Sequence, residues 1–521
     1  MNRDAFLQRI VERREPWDIA VIGGGATGVG VAVDAASRGY SVTLFEQSDF
    51  GKGTSSRSTK LVHGGVRYLQ QGNIPLVMEA LKERGILLQN APHLVRDLEF
   101  IVPNYAWWEA PFYGLGLKVY DLLAGKYGFG PSRMLSREEV LERIPTLSQD
   151  GLRGGVQYHD GQFDDTRLLI NLAQTAAEQG ALLLNYARVT ALQKDADGFT
   201  RGLTFHDEES GVLHTISARC VINATGPFCD ELRRVDDPVA APMIAPSQGI
   251  HLVFDRAFLP GDTAIMVPHT RDGRVMFAIP WHGHTLVGTT DTPIPEATLE
   301  PSPIEQEIDF ILETAGDYLA KRPTRADILS VFTGIRPLVK AGGAASTAAL
   351  SRDHTIDISS SGLLTITGGK WTTYRKMAED TVDHAIVLGH LDERPCVTRD
   401  LRIHGHHLQA KDFGALADYG GDAIALEALA HEHPDLAVPL NNALPINGAQ
   451  VVWAVQEEMA RTVEDVLARR TRALFLDTAA ALAMAPEVAR LLARELGRDE
   501  AWERAQVAAF RDVAAHFAVP A

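Results

Sequence analysis

Three cationic residues between positions 334 and 375 are the first candidates for chemistry in this chain. Arg336, Arg352 and Lys370 each stand close to turn-forming residues. A guanidinium presents a planar fork of donors that matches a phosphate or a carboxylate, so the three cations would bind one anion if the fold brings them together. Gly368-Gly369 precedes a predicted helix, whose first N–H groups would stabilise negative charge that develops nearby.

A second candidate segment, residues 54–68, is rich in hydroxyl side chains and glycine. Hydroxyls and exposed N–H groups are suited to contacting the phosphates and rings of a ligand. The segment also contains His63, one of three candidates for a general base; the others are His251 and a neutral Lys370. The sequence does not choose among these three.

The element that must position such a ligand begins at residue 18. An apolar strand, residues 18–22, is followed by Gly23, Gly25 and Gly28 in the spacing G-x-G-x-x-G, then by a predicted helix and a second strand that ends on Glu46. Gly23 permits a tight turn, Gly25 lets the backbone approach a pyrophosphate, and Gly28 lets helix and strand pack closely. Glu46 would accept hydrogen bonds from both hydroxyls of an adenosine ribose, which favours FAD or NAD over NADP. The pattern predicts a dinucleotide-binding βαβ unit.

Composition limits the class of protein. The net charge of −17 argues against a nucleic acid as partner, and three cysteines without a C-x-x-C pair indicate a reducing compartment. No secretory signal is visible in residues 1–16, and no apolar run reaches the roughly 18 residues of a membrane-spanning helix. Residues 100–135 mix aromatic residues, glycines and cations. That mixture fits either a membrane-surface element or an amphipathic helix packed on its own domain.

The order of predicted elements indicates an α/β fold, α+β overall, with a Rossmann-like nucleotide domain, an antiparallel-sheet substrate domain and a C-terminal helical domain. We expect residues 1–17 to form an N-terminal extension. The nucleotide domain is predicted over residues 18–90, 150–245 and 330–390, the substrate domain over 91–149 and 246–329, and the helical domain over 391–521. Within the helical domain, Pro486 is predicted to open a helix and Gly497 to close it.

Five strings in the chain resemble those of the FAD-dependent, aerobic glycerol-3-phosphate dehydrogenases. They are KLVHGGVRYL (60–69), NATGP (223–227), GIRPL (334–338), SRDH (351–354) and GGKWTTYRKMAE (368–379). The similarity extends from about residue 18 to residue 374, and the tail from about residue 395 resembles that family's C-terminal domain. Because this family belongs to the D-amino-acid-oxidase-like flavoproteins, the resemblance implies that the nucleotide domain is an FAD-binding domain.

The resemblance also implies noncovalent FAD, no metal, and a set of residues for each role. Those implied for FAD are Gly23, Gly25, Gly28, Glu46, Thr54, Ser55, Thr59, Lys60, His63, Gly64, Gly65, Gly226, Gly334 and Gly368. Those implied for the substrate are Arg67, Tyr68, Arg336, Arg352 and Lys370, with Arg336 and Arg352 holding a phosphate. The catalytic candidates are Arg336, Lys370, His63 and His251.

The activity that the resemblance implies is oxidation of sn-glycerol 3-phosphate to dihydroxyacetone phosphate. A hydride would pass from C2 to flavin N5, and the electrons would then pass to a quinone. The alternatives are a glycerol-3-phosphate oxidase that uses O₂, another FAD-dependent amine or amino-acid oxidase, and a flavin-bound scaffold without turnover. The expected location is the cytoplasm. Peripheral contact with the inner face of the cytoplasmic membrane and formation of a homodimer are both left open.

Overall fold

The structure is a computed structural model that describes residues 1–65, 73–106, 109–268, 270, 273–340 and 354–520. Its helices are α1 (Arg3–Glu12), α2 (Ala26–Ser37), α3 (Ile74–Asn90), α4 (Glu109–Ala124), α5 (Arg137–Arg143), α6 (Asp165–Glu178), α7 (Cys229–Asp236), α8 (Glu305–Tyr318), α9 (Tyr374–Leu388), α10 (Ala423–Glu432), α11 (Gly448–Glu458), α12 (Ala473–Leu476), α13 (Thr478–Leu496) and α14 (Glu500–Ala515).

The strands occupy the chain between α1 and α9. They are β1 (Trp17–Ile22), β2 (Val42–Phe45), β3 (Leu61–Val62), β4 (Val95–Asn104), β5 (Arg133–Ser136), β6 (Gly154–Phe163), β7 (Leu182–Leu184), β8 (Ala187–Lys194), β9 (Thr200–Asp207), β10 (Leu213–Asn223), β11 (Ile244–Asp255), β12 (Ala264–Val267), β13 (Met276–Trp281), β14 (His284–Gly288), β15 (Thr292–Pro293), β16 (Ile328–Val339), β17 (His354–Ile358) and β18 (Leu364–Gly368).

The first sheet carries the glycine turn. Its central order is β17-β18-β10-β1-β2-β7, and the hairpin of β8 and β9 joins it through β10. The inner strands β18, β10, β1, β2 and β7 run parallel, and α2, α6 and α9 share an apolar core with them. The carboxyl ends of parallel strands meet at one edge, where ligands bind in such sheets. That edge brings together Gly23, Glu46, Thr225 and Gly368.

The second sheet is built mainly from antiparallel pairs, in the order β15-β11-β14-β13-β12-β4-β6-β3, with β16 paired to β11 and β5 to β6. Three of its strands, β3, β6 and most of β16, lie in segments predicted for the nucleotide domain. β6 pairs with β4 along its whole length, and β16 pairs with β11 from Ile328 to Val339. Strand partners decide membership of a sheet, and a hydrophobic pattern does not identify a partner that lies dozens of residues away.

The segment after residue 422 is helical, as predicted, and shares a core with the second sheet. One detail of the prediction was wrong, because Pro486 lies inside α13 and does not open it. The helix begins after Asp477, whose side chain accepts a hydrogen bond from Ala480 N at 2.9 Å. A proline inside a helix removes one backbone hydrogen bond, and burial of the surrounding Met484, Ala485 and Val488 offsets that loss. Gly497 ends the helix with φ 64, as expected.

Residues 100–135 contain an amphipathic helix packed on its own domain, which is one of the two predicted interpretations. On α4, Tyr113, Leu117 and Tyr120 are buried against the second sheet and α3, whereas Leu115 and Leu122 are 69% and 80% exposed. The tryptophans at 107 and 108 lie outside the described residues. Among the helices described, none is long and apolar enough to cross a bilayer.

Candidate active site

A cavity of about 460 Å³ lies at the carboxyl edge of the first sheet. Separate segments of the chain form its wall, and they include the glycine turn, Glu46, Thr54-Ser55, residues 187–190, residues 224–228 and residues 366–371. A volume of this size falls within the range of roughly 300–1,000 Å³ that small-molecule sites occupy.

The glycine turn leaves no room for side chains on the strand side. Gly23 has φ +113, and a Cβ there would lie 2.5 Å from Ala224 O. A Cβ on Gly28 would lie 2.0 Å from Gly23 O, so this glycine packs the start of α2 against β1. Gly25 is the N-cap residue of α2 and offers no side-chain cap. A helix start without a side-chain cap, beside a tight glycine turn, fits a pyrophosphate, which accepts from the N–H groups and complements the helix dipole.

Glu46 is fixed at the rim of this cavity by two backbone donors. Gly24 N donates to Oε2 at 2.7 Å, and Ser48 N donates to Oε1 at 2.9 Å. Burial raises the pKa of the Glu46 carboxyl, although both N–H groups oppose that effect. Each oxygen keeps a second lone pair, so the carboxylate can still accept from the hydroxyls of a ribose. The residues present therefore fit the adenosine and pyrophosphate part of FAD.

A second cavity of about 330 Å³ adjoins the first and has a different wall. The two cavities share Thr54, Pro337 and the segment Gly368–Trp371. The second cavity is lined by ionisable and hydroxyl side chains, which include Arg57, Ser58, Thr59, His63, Asp160, His251, Arg274, Thr289, Asp291, Arg336 and Lys370. One elongated ligand can therefore extend from a backbone-lined end to an end surrounded by reactive side chains.

Arg336 stands in this second cavity on β16, with a fixed guanidinium plane. Nη1 donates to Asp291 Oδ1 at 3.2 Å and, at 3.4 Å, to the carbonyl of Gln248. Nη2 donates to Thr289 Oγ1 at 3.1 Å and to the carbonyl of Thr290 at 2.9 Å. Asp291 in turn accepts a short hydrogen bond from Ser247 Oγ. These bonds orient the arginine, while 26% exposure of its side chain keeps its charge accessible from the cavity.

His251 is the most enclosed of the candidate bases. It is 2% exposed, stacks on Phe332 with ring centroids 4.8 Å apart, and has Nε2 3.0 Å from Thr59 Oγ1. Nδ1 has no hydrogen-bond partner among the residues that the structure describes. Burial, together with the charges of Lys60 and Arg336, lowers the pKa of His251 well below its usual range. The imidazole is therefore neutral at ordinary pH and retains one nitrogen that can accept a proton.

The structure brings most of the predicted residues to the two cavities. The first is lined by Gly23, Gly25, Glu46, Thr54, Ser55, Gly226 and Gly368. The second is lined by Thr54, Thr59, His63, Gly65, His251, Gly334, Arg336, Gly368 and Lys370. Arg67, Tyr68 and Arg352 lie outside the described residues.

Three residues predicted to contact the cofactor line neither cavity in the described structure. Gly28 packs helix against strand, and Gly64 N donates to Tyr120 OH at 2.9 Å. The side chain of Lys60 points away from the cavities: its fully buried Nζ donates to Asp165 Oδ2 at 2.7 Å and to Ser56 O at 2.8 Å. A buried ammonium needs such a partner, and a sequence motif does not show on which side of a loop the partner lies.

Several residues of the second cavity were missed by sequence reasoning. Arg274 precedes β13, and Thr289, Thr290 and Asp291 follow β14. The run of two threonines and an aspartate directly after an apolar strand was a usable signal, because polar side chains at strand ends commonly face a site. Arg274 had no comparable local signal.

Comparisons with known proteins agree with this architecture. Residues 18–375 match the family described as FAD dependent oxidoreductase. Residues 363–503 match the family described as C-terminal domain of alpha-glycerophosphate oxidase. Together these matches place the chain in the class of FAD-dependent oxidoreductases that carry an additional helical domain.

Individual relatives narrow the class. The mitochondrial glycerol-3-phosphate dehydrogenase of Homo sapiens is 41% identical over 96% of this chain and 73% of that protein. The corresponding protein of Arabidopsis thaliana is 42% identical over 95% of this chain and 85% of that protein. A solved glycerol-3-phosphate dehydrogenase from Bacillus halodurans, complexed with FAD, superposes with a TM-score of 0.81 at 31% identity, over 99% and 98% of the two chains. The chain belongs to the FAD-dependent glycerol-3-phosphate dehydrogenase family.

Proposed function

We propose that this protein oxidises sn-glycerol 3-phosphate to dihydroxyacetone phosphate. The observation that carries the proposal is the pair of adjoining cavities that share Gly368–Trp371. One cavity is shaped for a dinucleotide, and the other contains both Arg336 and His251. FAD, when bound, supplies the acceptor for the hydride that leaves C2 of the substrate.

The phosphate of the substrate is assigned to Arg336. The bonds from Nη2 to Thr289 Oγ1 and from Nη1 to Gln248 O, at 3.1 and 3.4 Å, are the ones that phosphate oxygens would replace. Asp291 would keep its contact and hold the guanidinium in place. A charged hydrogen bond to phosphate is stronger than the neutral ones that it displaces. Arg67, Tyr68 and Arg352 remain sequence-based predictions for the same site.

We assign to His251 the role of the base that accepts the proton of the C2 hydroxyl. Its neutral imidazole lies in the wall of the second cavity, and Thr59 fixes the orientation of the ring. Lys370 and the turn at Gly368-Gly369 line both cavities. We assign to them the stabilisation of negative charge that develops where the cavities meet, since preorganised cations and N–H groups act most strongly in a water-poor site.

The test is anaerobic mixing of the purified, FAD-loaded protein with sn-glycerol 3-phosphate. The absorption band of oxidised FAD should disappear, and dihydroxyacetone phosphate should form in equal amount. Glycerol and sn-glycerol 1-phosphate serve as controls, because the first lacks the phosphate and the second has the opposite configuration at C2. A flavin that stays oxidised with sn-glycerol 3-phosphate would overturn the proposal.

The electron acceptor is proposed to be a quinone. The support is membership of a family whose relatives are named dehydrogenases. Adding a short-chain quinone to the reduced, anaerobic protein should restore the flavin band at least tenfold faster than adding air. The reverse order would favour the oxidase alternative.

Contact with a membrane surface is proposed through α4 and the neighbouring α3. The outer face of these helices exposes Leu115, Val119 and Leu122, together with Ile74 and Met78. Such a face partitions into the headgroup region of a bilayer. In liposome flotation, L115E/L122E should release the protein, whereas Val387→Glu, at an equally exposed position on α9, should not. Cytoplasmic location and a homodimer stay predictions of the sequence.

A further inference from the structure

The loop of residues 54–60 contributes to the walls of both cavities and makes three contacts with other residues of the site. Thr54 Oγ1 donates to Ile335 O at 2.6 Å, and Trp371 Nε1 donates to Ser55 O at 2.9 Å. Thr59 Oγ1 is 3.0 Å from His251 Nε2. The position of this loop therefore sets the position of the imidazole and of the wall shared by the cavities.

Two other residues of the same loop, Ser58 and Lys60, donate hydrogen bonds to one buried carboxylate. Asp165, at the start of α6, accepts through Oδ2 from Ser58 N at 3.0 Å, from Ser58 Oγ at 2.7 Å and from Lys60 Nζ at 2.7 Å. Asp165 and Lys60 are both 0% exposed. Because water cannot replace these partners, the geometry of the loop depends on how the carboxylate is shared among its donors.

Oδ1 of this carboxylate accepts from Thr166 Oγ1 at 3.3 Å and from a residue of the C-terminal helical segment. Arg472 precedes α12 in a left-handed conformation with φ 64. Its Nη2 donates to Asp165 Oδ1 at 3.2 Å and to Ser56 O at 2.9 Å, and its Nε lies 3.6 Å from Asp164 Oδ2. The guanidinium is packed between Trp281 and Phe475.

Removing this cation would change the loop. Among the described residues, Asp165 Oδ1 would keep only the long bond from Thr166 Oγ1 at 3.3 Å, and Ser56 O would keep only Lys60. Ser58 and Lys60 already supply the donors to Oδ2. The buried carboxylate would then shift to regain hydrogen bonds, and Ser58 and Lys60, which flank Thr59, would move with it.

We propose that Arg472 is a positioning residue for the active site, which makes the C-terminal helical segment a working part of the catalytic scaffold. Arg472 acts through Ser56 and Asp165 to hold Thr59 against His251. That the slowed reaction is oxidation of sn-glycerol 3-phosphate rests on the proposed function. The effect of Arg472 on the position of the loop does not.

The first experiment measures the loop directly in the FAD-loaded protein by hydrogen–deuterium exchange. Arg472→Met should increase deuterium uptake in peptides that cover residues 54–62. Arg470→Met is the matched control, since Arg470 is equally buried and pairs with Asp49 instead of the loop. It should destabilise the protein without raising uptake in 54–62. Unchanged uptake in Arg472→Met, or an equal rise in the control, would overturn the proposal.

The second experiment measures turnover per bound flavin, so that unfolded protein does not count. Arg472→Met should lower kcat by roughly tenfold or more, as a small displacement of a catalytic group does, with KM for sn-glycerol 3-phosphate within about twofold. Arg472→Lys keeps the buried charge, protects folding and should fall between wild type and Met. A normal kcat in both variants contradicts the proposal. If wild-type flavin is not reduced by the substrate, the proposed function fails, and the exchange experiment still decides the role of Arg472.

Discussion

The two cavities meet at one segment but are built by different means. In the first, backbone atoms, the glycine turn and a helix start capped by glycine make the shape, and two backbone N–H groups fix the carboxylate of Glu46. In the second, charged and hydroxyl side chains from separate strands converge, and neighbours orient Arg336 and His251. The backbone turn of the first tolerates no added atoms at Gly23 and Gly28, whereas a side-chain-built cavity tolerates substitutions but loses a specific step of chemistry.

The largest effect should follow from adding one methyl group behind the first cavity, where Gly28 packs α2 against β1. Gly28→Ala places a Cβ 2.0 Å from Gly23 O, and neither backbone segment can move away without separating α2 from β1. We expect protein without bound FAD, measured by the flavin-to-protein absorbance ratio. Gly116→Ala on α4, where a Cβ meets nothing within 4 Å, should bind FAD normally. FAD retained at full occupancy in Gly28→Ala would contradict the steric account.

In the second cavity, the side chain with the largest expected effect is His251. His251→Asn should lower kcat by about 10²–10⁴-fold, the usual range for loss of a general base, while FAD stays bound. His63→Asn, in the same cavity, should retain most of kcat. If His63→Asn shows the larger loss, the base is His63.

The pKa of His251 predicts the pH dependence of that rate. Burial and two nearby cations lower the pKa, so the imidazole already lacks its proton when the pH is below the usual histidine value of about 6.5. Wild-type kcat at saturating substrate should therefore not fall as the pH is lowered from 8 through about 6.5. A loss of kcat with an apparent pKa near the unperturbed value would show that His251 is not the base, or that the cations do not act on it.

A smaller effect is expected from Arg336. Arg336→Ala should raise KM for the phosphate substrate by about 30- to 150-fold, corresponding to roughly 2–3 kcal/mol for a charged hydrogen-bond partner. Arg336→Lys keeps the charge without the fork and should be intermediate. FAD affinity should not change, because Arg336 lines only the second cavity among the two described. An unchanged KM would place the phosphate elsewhere.

The smallest expected effect concerns Glu46, in the wall of the first cavity. Glu46→Gln keeps one carbonyl oxygen for Gly24 N or Ser48 N and should weaken FAD binding by about 1 kcal/mol, or roughly fivefold. Burial raises the pKa of Glu46. Wild-type FAD affinity should therefore fall toward that of the variant as the pH drops through the raised pKa. Glu231→Gln, at another carboxylate on the wall of the same cavity, should bind FAD as the wild type does at every pH.

The end of the first cavity that fits adenosine and pyrophosphate could be predicted from local sequence because its parts are local. Gly23, Gly25 and Gly28 stand within one turn, and Glu46 follows one helix later, so their spacing alone specifies the geometry. The residues of the second cavity extend from Thr54 to Thr372, and strand pairing decides which of them meet. That pairing also places β6 and β16 in the second sheet, although local patterns predicted them for the nucleotide domain.

Long-range partners account for the remaining differences. Lys60 belongs to a motif that predicted a cofactor contact, yet its ammonium is held by Asp165, 105 positions later. No pattern around Arg472 indicated that it would reach the 54–60 loop, because the contact spans more than 300 residues. Pro486 was read as a helix start because the burial that compensates for it is not visible in its local sequence.

The attachment of β16 to the helical segment has a consequence for how the protein is made. Ser330 Oγ donates to Leu474 O, and Phe517 O accepts from Val331 N, so the base of the strand that carries Arg336 is completed by residues translated well after it. The walls of both cavities come from residues 22–377, yet Lys52 in the wall of the first pairs with Glu464, and Arg472 donates to Ser56 O in the 54–60 loop. Both cavities should therefore reach their final geometry only after the helical segment has been translated and has packed on the sheets.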